Sequence, residues 1–92
     1  MKIFIFGREG CPACKSIKEK MEYFSQHYTP IAIEYFDVDT VAGLAESAYR
    51  SVPEIPAVIL MKDDKEIKRW VQSAPIFSEL TELLTIDKPE NI

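Results

Sequence analysis

The sequence contains little of what metal centres, disulfide scaffolds or nucleic-acid-binding surfaces are built from. Among its 92 residues are two cysteines and one histidine, and acidic residues outnumber basic ones by 15 to 11. Two cysteines are too few for the disulfide framework of a small secreted protein. The acidic balance disfavours nucleic acid as a partner, because phosphate binding relies on a basic surface.

Long apolar runs are also missing. The apolar opening of the chain, Lys2–Phe6, is shorter than a signal-peptide core and far shorter than a membrane span. We therefore expect no membrane partner and a cytoplasmic location, where a lone pair of cysteines is expected to be catalytic or regulatory. With 47% hydrophobic residues, the chain is expected to form one domain over residues 1–92 around one core.

The two cysteines stand in the stretch Gly10-Cys11-Pro12-Ala13-Cys14, between a strand-like run and a helix-like run. At a helix start they lie about one turn apart on the same face, close enough to form a reversible disulfide. Pro12 suits the first helical position, which places Cys11 at or near the N-cap. There the unpaired N–H groups and the helix dipole favour a thiolate, the form that attacks disulfides. Cys14 is expected to be more buried and to resolve the mixed disulfide that Cys11 forms.

Other interpretations of this cysteine pair stay open. A Cys-x-x-Cys pair can form half of a zinc site, but no second pair accompanies it here, and His27 falls near the far end of the same helix. Two chains together could supply four thiolates to a bridging metal ion or iron–sulfur cluster. A purely structural disulfide is the third interpretation, although so small a loop constrains the unfolded chain least. The spacing and placement favour redox exchange.

Hydrophobic patterning predicts a strand–helix–strand unit in the first half of the chain. The apolar run Lys2–Phe6 is typical of a central strand, and the spacing of apolar residues predicts an amphipathic helix from Pro12 to about Gln26. Ile31–Val38 is rich in β-branched and aromatic residues, so we expect a second strand, parallel to the first. Asp37 and Asp39 at its end are expected to serve in a turn and to cap the next helix.

The residue pattern in the second half of the chain predicts a helix, a β-hairpin and a last helix. The helix is expected over Val41–Tyr49, with Leu44, Ala45 and Ala48 on one side. The remaining elements are a buried strand Ala57–Met61, a polar loop at 62–65, an outer strand Glu66–Val71, and a helix capped by Ser73, entered at Pro75 and ending near Thr85. Asp87–Ile92 is expected to be a frayed tail. The predicted fold class is α/β, with a four-stranded mixed sheet flanked by three helices.

A strand leading into Cys-Pro-x-Cys at a helix start, followed by an Ile-Pro before a buried strand, resembles the thioredoxin superfamily. The size of the chain and the proline after the first cysteine look most like glutaredoxins and the small glutaredoxin-like thioredoxins. This resemblance implies a thioredoxin-like fold in which Ile55-Pro56 carries a cis peptide bond facing the cysteine pair. It also implies that the backbone beside Pro56 binds an extended substrate.

The chain departs from the patterns of these families at several positions. Glutaredoxins usually have Thr-Val-Pro and a later Gly-Gly pair, which help to hold glutathione, whereas this chain has Glu54-Ile55-Pro56 and then Val71-Gln72-Ser73. Thioredoxins usually carry a buried acid in the first strand, whereas this strand offers only Ile and Phe side chains. Proton transfer from Cys14 then needs water or another group. Arg8, three residues before Cys11, is a candidate to support the thiolate or to bind a substrate carboxylate.

These observations predict a dithiol–disulfide oxidoreductase of the glutaredoxin and thioredoxin type, expected to be a monomer. Cys11 and Cys14 would be the catalytic pair and the redox-active disulfide, and Arg8, Pro12, Ala13, Ile55 and Pro56 would contact the substrate. The substrate would be a disulfide-containing protein or a glutathione mixed disulfide, and the external reductant glutathione or a thioredoxin-type reductase. No cofactor or metal is required. The alternative is a non-catalytic binding module, or a dimer bridged by a thiolate-bound metal or iron–sulfur cluster.

Overall fold

Residues 1–86, which the computed structural model describes, form a four-stranded mixed sheet and three helices. In chain order the elements are β1 (Lys2–Gly7), α1 (Pro12–His27), β2 (Ala32–Asp37), α2 (Val41–Tyr49), β3 (Ala57–Lys62), β4 (Lys65–Val71) and α3 (Phe77–Ile86). The strand order is β2-β1-β3-β4, with β1 parallel to β2 and antiparallel to β3, and β3 antiparallel to β4. The predicted order of elements is confirmed, while the tail predicted for 87–92 lies outside the described residues.

The strand β1 lies between two neighbours and is buried on both faces. None of its four apolar residues, Ile3 to Phe6, is more than 6% exposed. This burial confirms that a run without polar alternation marks a central strand. β2 is one residue shorter at each end than predicted. At its start, the Ser25 hydroxyl donates to the Ile31 carbonyl and accepts from the Ile31 N–H, at 2.9 and 3.1 Å.

The two faces of the sheet are covered by different helices. On one face, α1 and α3 bury Ile3 and Ile5 among Met21, Phe24 and Leu80. On the other face, a second cluster consists of Phe4, Phe6, Ala57, Ile59 and Met61. α2 lies on this second side, since the guanidinium of Arg50, the residue after α2, lies 4.7 Å from the centre of the Phe4 ring. The cysteine helix is therefore supported by the larger of the two clusters.

The buried face of α2 differs from the prediction. Leu44 is 60% exposed, Ala45 and Ala48 are also exposed, and the buried residues of the helix are Gly43 and Ser47. The reason is the close approach of the helix to the end of β2, where a Cβ on Gly43 would overlap the Asp37 carbonyl group. A face of small residues permits this distance, and larger side chains are directed toward solvent.

In the turn before α2, only one of the two roles predicted for Asp37 and Asp39 is found. The Asp37 carboxylate accepts from the Asp39 N–H at 2.9 Å, which forms the turn. The N-cap is Thr40, whose hydroxyl accepts from the Gly43 N–H at 3.0 Å. The expectation of capping by aspartate is therefore wrong, because the residue after Asp39 occupies the cap position.

The start of α3 also corrects the prediction. The helix begins at Phe77 rather than at Pro75, and Ile76, predicted to cover the sheet, is 66% exposed. The Ile76 carbonyl accepts from the Leu80 N–H at 3.1 Å, so residue 76 stands immediately before the first turn. Ser73 and Pro75 therefore precede the helix as an irregular segment instead of capping and entering it.

Arg69 on β4 ties the segment after α2 to the sheet. Its guanidinium donates to the carbonyls of Arg50 and Ser51, at 2.7 and 2.9 Å, and to the Glu66 carboxylate at 2.6 and 2.7 Å. The hydrogen bond from Arg69 lowers the pKa of Glu66, more than its partial burial raises it. This tie matters for the site described below, because the anchored segment leads into Ile55-Pro56.

Arg69→Met is expected to lower the free energy of unfolding at pH 7 by about 1–3 kcal/mol, because it leaves two carbonyls and one carboxylate without their donor. The pKa of Glu66 is lowered in the folded state. The contribution of the ionised carboxylate to the free energy of unfolding is therefore fully present above the ordinary Glu pKa and is lost as pH falls through the lowered value. Urea denaturation of both proteins at several pH values measures this. Lys68→Met is the matched control, since it removes an exposed ion pair with Glu79, and solvent screens such pairs so that they add little to stability. If both variants lost the same free energy of unfolding, the hydrogen bonds of Arg69 would not stabilise the segment after α2 as described.

Candidate active site

The cysteine pair lies where the central strand passes into α1. β1 ends at Gly7, three residues follow, and Cys11 is the N-cap of α1 with extended backbone angles of φ −108° and ψ 103°. Pro12 stands in the first turn of the helix, as predicted. The Cα atoms of Cys11 and Cys14 are 5.2 Å apart and their sulfurs form a disulfide. The strand end and the helix start thus place both sulfurs at the same edge of the sheet.

The two sulfurs have different environments. Cys14 is completely buried, whereas Cys11 is partly exposed. The Cys14 N–H points at the Cys11 sulfur, at an N to Sγ distance of 3.1 Å. In the reduced protein, an N–H donor at the positive end of a 16-residue helix favours negative charge on the sulfur it faces. The geometry therefore makes Cys11 the accessible sulfur whose thiolate is stabilised.

A groove of about 910 Å³ opens beside Cys11 on the side of α3. Its walls include Ala13 of α1, Ile55 and Pro56 of the loop before β3, and the segment 72–77. The Ile55-Pro56 peptide bond is cis, as predicted. The Gln72 N–H donates to the Pro56 carbonyl at 2.6 Å, which joins the segment after β4 to the loop before β3. Three of the residues expected to contact a substrate, Ala13, Ile55 and Pro56, are thus brought together next to Cys11.

A second groove of about 880 Å³ opens on the other side of Cys11, toward β2. Pro12 and Arg8 line this groove, so the two predicted contact residues lie apart from the other three. Arg8 forms an ion pair with Asp39, at 3.4 Å from Nη2 to Oδ1, and both side chains are about half exposed. The structure therefore gives the Arg8 guanidinium a partner on the loop before α2.

The sequence analysis missed Tyr35 of β2, whose hydroxyl and the Cys14 sulfur both lie close to Gly7. Tyr35 is paired with Ile5 in the parallel ladder and packs against the cluster beneath α1. A Cβ placed on Gly7 would lie 2.5 Å from the Tyr35 hydroxyl oxygen and 3.0 Å from the Cys14 sulfur. The absence of a side chain at Gly7 therefore lets the hydroxyl and the sulfur approach the same point. The aromatic residue in the second strand was visible in the sequence, but which face it occupies depends on the register.

Burial raises the pKa of Tyr35, and the charges of Asp37 and Glu9 raise it further. The Lys18 ammonium lies 5.1 Å from the centre of the Tyr35 ring. Because its pKa is raised, the phenol keeps its proton over the physiological pH range and remains a hydrogen-bond donor. Across residues 1–86, His, Cys, Asp and Glu side chains nowhere gather in a group of three or more that could hold a metal ion.

The family model of the glutaredoxin-like domain (DUF836) matches residues 2–81. The chain belongs to this glutaredoxin-like family. The match spans β1 through the first half of α3, so it contains the Cys-x-x-Cys pair and both grooves. No curated protein matches the chain at a significant level.

Solved structures show that the glutaredoxin-like chain has a thioredoxin-like fold. Thioredoxin 1 from the thermophilic eubacterium Thermosipho africanus is 28% identical, with a TM-score of 0.79 over 94% of this chain and 97% of that one. Thioredoxin from Fasciola hepatica is 25% identical, with a TM-score of 0.70 over 94% and 79%. Oxidised thioredoxin O2 from Arabidopsis thaliana is 16% identical, with a TM-score of 0.72 over 94% and 73%, which is a likeness of fold alone. In residues 1–86, no helix has the length and hydropathy to cross a bilayer.

Gly7→Ala is expected to destabilise the oxidised protein by about 1–3 kcal/mol, because the new methyl group would press on the Tyr35 hydroxyl and on Cys14. Urea denaturation measures the loss. In a Tyr35→Phe background the loss should be smaller, since the contact with the hydroxyl is gone, so the two substitutions should not be additive. Additive losses, or a Gly7→Ala protein as stable as the parent, would contradict the crowding described here.

Proposed function

We propose that this glutaredoxin-like protein is a thiol–disulfide oxidoreductase that reduces or exchanges disulfides with the dithiol of Cys11 and Cys14. The observation that carries the proposal is the unequal placement of the two sulfurs. Cys11 is accessible between two grooves and faces a helix N–H, while Cys14 is buried one turn behind it. One sulfur is suited to attack from outside and the other to intramolecular displacement.

The reaction proceeds in two exchanges. The Cys11 thiolate attacks one sulfur of a substrate disulfide, forms a mixed disulfide and releases the other substrate sulfur as a thiolate, which takes a proton from water. Cys14 loses its proton and its thiolate attacks the Cys11 sulfur. The bond between Cys11 and the substrate breaks, and the second substrate sulfur leaves with the bonding electron pair. The substrate gains two electrons, and the protein is left with the Cys11–Cys14 disulfide until an external reductant restores it.

The groove on the α3 side supports an extended peptide of a disulfide-containing protein as the substrate. Ala13, Ile55 and Pro56 line it together with Cys11, and the exposed Ile76 lines it as well. An extended chain lying there would place its own sulfur over Cys11 and its backbone beside residue 55, in the manner of an added strand. Arg8 has a smaller part in this proposal, because a substrate carboxylate would have to compete with Asp39 for its guanidinium.

The reductant distinguishes two versions of the proposal. Residues 72 and 73 of the groove wall are Gln and Ser, and Gln72 holds a positive φ of 58°, a conformation that glycine adopts at least cost. Glutaredoxins usually have Gly-Gly here, and the side chains of Gln72 and Ser73 occupy space that two glycines would leave to glutathione. We therefore place a protein reductant of the thioredoxin-reductase type first, and glutathione second.

A redox titration against glutathione buffers, with mass spectrometry of each sample, tests the function. The parent protein should form the internal disulfide reversibly, with a potential within roughly −270 to −180 mV. Cys11→Ser should lose its disulfide-reducing activity, because the attacking sulfur is gone. Cys14→Ser should accumulate a mixed disulfide on Cys11, because the resolving sulfur is gone.

The control is Ser78→Ala, which changes an exposed side chain of α3 that lines neither groove and should cycle like the parent. A glutathione adduct on Cys11 of the parent would favour glutathione over a protein reductant. Full activity in Cys11→Ser would refute the mechanism. A cysteine pair that never cycles, in a protein that copurifies with metal as a dimer, would instead establish the thiolate-bridged binding module.

A further inference from the structure

The resolving step of the proposed mechanism raises a question about charge. Cys14 must become a thiolate before it attacks, yet it is completely buried, and the buried residues Ile3 to Phe6 of the strand beside it are all apolar. A buried thiolate is unfavourable unless a hydrogen-bond donor or a positive charge compensates for the lost water. The helix N–H that favours charge on the pair is directed at Cys11 rather than at Cys14. A donor for Cys14 must therefore come from another element.

The Tyr35 hydroxyl is the polar group that the described structure brings to this place. The hydroxyl oxygen and the Cys14 sulfur lie 2.5 and 3.0 Å from the same point, the position that a side chain on Gly7 would fill. Since Gly7 leaves this space open, the hydroxyl and the sulfur border the same space at the end of β1. The pairing of Ile5 with Tyr35 fixes the tyrosine on the α1 side of the sheet, where it packs against the cluster that includes Ile17 and Met21 of α1.

The charged groups around Tyr35 keep it a donor. Asp37 from β2 and Glu9 from the loop before α1 both act against its ionisation, as does burial. Lys18 of α1 lies over its ring, and Arg8 and Lys15 line the same groove. The net result is a phenol that retains its proton at pH values where thiols ionise.

We propose that the Tyr35 hydroxyl donates a hydrogen bond to the Cys14 sulfur as it ionises, and so promotes displacement of the substrate from Cys11. The inference rests on the proposed oxidoreductase function and adds a residue to its second exchange. The Cys14 proton passes to water, its thiolate forms the bond to the Cys11 sulfur, and the substrate sulfur leaves with the electron pair of the broken bond. Tyr35 keeps its own proton throughout. The tyrosine thus supplies the hydrogen-bond donor that the buried apolar residues of β1 cannot provide.

Reaction of the reduced protein with excess 5,5′-dithiobis(2-nitrobenzoate) separates the two exchanges. The first release of the coloured thiolate reports attack by Cys11, and the second reports displacement by Cys14. In Tyr35→Phe the first release should keep its rate, while the second should slow several-fold, with the midpoint of its pH profile moved upward. Tyr49→Phe, which removes a hydroxyl from an exposed side chain at the end of α2, is the matched control and should behave as the parent.

A titration of Cys14 followed by its ¹³Cβ resonance, in a Cys11→Ser background, measures the ionisation directly. Adding Tyr35→Phe should raise the pH of half-ionisation by about one unit, which is a tenfold fall in thiolate fraction below that pH. With Tyr35 intact, the ¹³C resonance of the ring carbon bonded to the hydroxyl should change with pH at the same midpoint as the Cys14 resonance. This measurement does not depend on whether a tyrosine variant folds.

The outcomes separate this inference from the function on which it rests. If the parent protein shows no second release, the proposed dithiol function fails. If the parent shows both releases and Tyr35→Phe changes neither the second rate nor the Cys14 titration, the function stands and the role of Tyr35 is overturned. A loss of stability in Tyr35→Phe with an unchanged Cys14 midpoint would assign the hydroxyl to packing alone, which also overturns the proposal.

Discussion

The hydrogen bond from the Cys14 N–H to the Cys11 sulfur is the interaction on which the site depends. It exists because a helix begins at residue 12, and that helix leaves its first N–H groups without partners inside the helix. The same helix turn that supplies the donor carries the second cysteine into the core. One local structure therefore sets both the exposure of Cys11 and the burial of Cys14, and the difference between the two sulfurs needs no further residue.

The buried sheet positions the start of α1, and it also prevents β1 from contributing a polar side chain to the site. β1 delivers the chain to the helix start, and because it is a central strand with packed clusters on both faces of the sheet, its side chains are shielded from water. A polar side chain in β1 would have to be buried at a cost of several kcal/mol unless paired. β2 lies at the edge of the sheet, and its half-buried Tyr35 can keep its ring in the core while its hydroxyl lies in the space beside Gly7 that the Cys14 sulfur also borders. The sequence of β1 thus makes a contribution from the neighbouring strand necessary in the proposed mechanism.

Much of this arrangement could be predicted from the sequence because it depends on local patterns. Pro12 between the cysteines marks the helix start, and the apolar run before it marks a central strand. The cis bond at Pro56 followed from family resemblance. The wrong expectations concern packing between elements. The solvent-facing Leu44 follows from the close approach that Gly43 permits, and a period of apolar residues in a helix does not show how near that helix comes to a strand.

The start of α3 and the position of Tyr35 near Gly7 could not be predicted from the sequence, because both depend on packing between elements. Ser73 and Pro75 have the composition of a helix start, but the segment that contains them lines the groove and is joined to Pro56 through Gln72. Tyr35 and Phe36 are adjacent aromatic residues in one strand, and alternation places them on opposite faces. Only the register against β1 shows which of them faces α1 and the cysteine pair.

The two sides of Cys11 differ in a way that suits the two exchanges of the proposed mechanism. The α3 side has an open groove with apolar walls and a cis-proline loop, features suited to an extended substrate. The β2 side is lined by charged residues and by Tyr35, whose hydroxyl borders the same space as the Cys14 sulfur. A substrate held on the first side leaves the second free for Cys14 to ionise beside its donor. Since a sulfur is displaced along the line of the bond that breaks, attack and departure need opposite sides of Cys11. The position of the helix between the two grooves provides both.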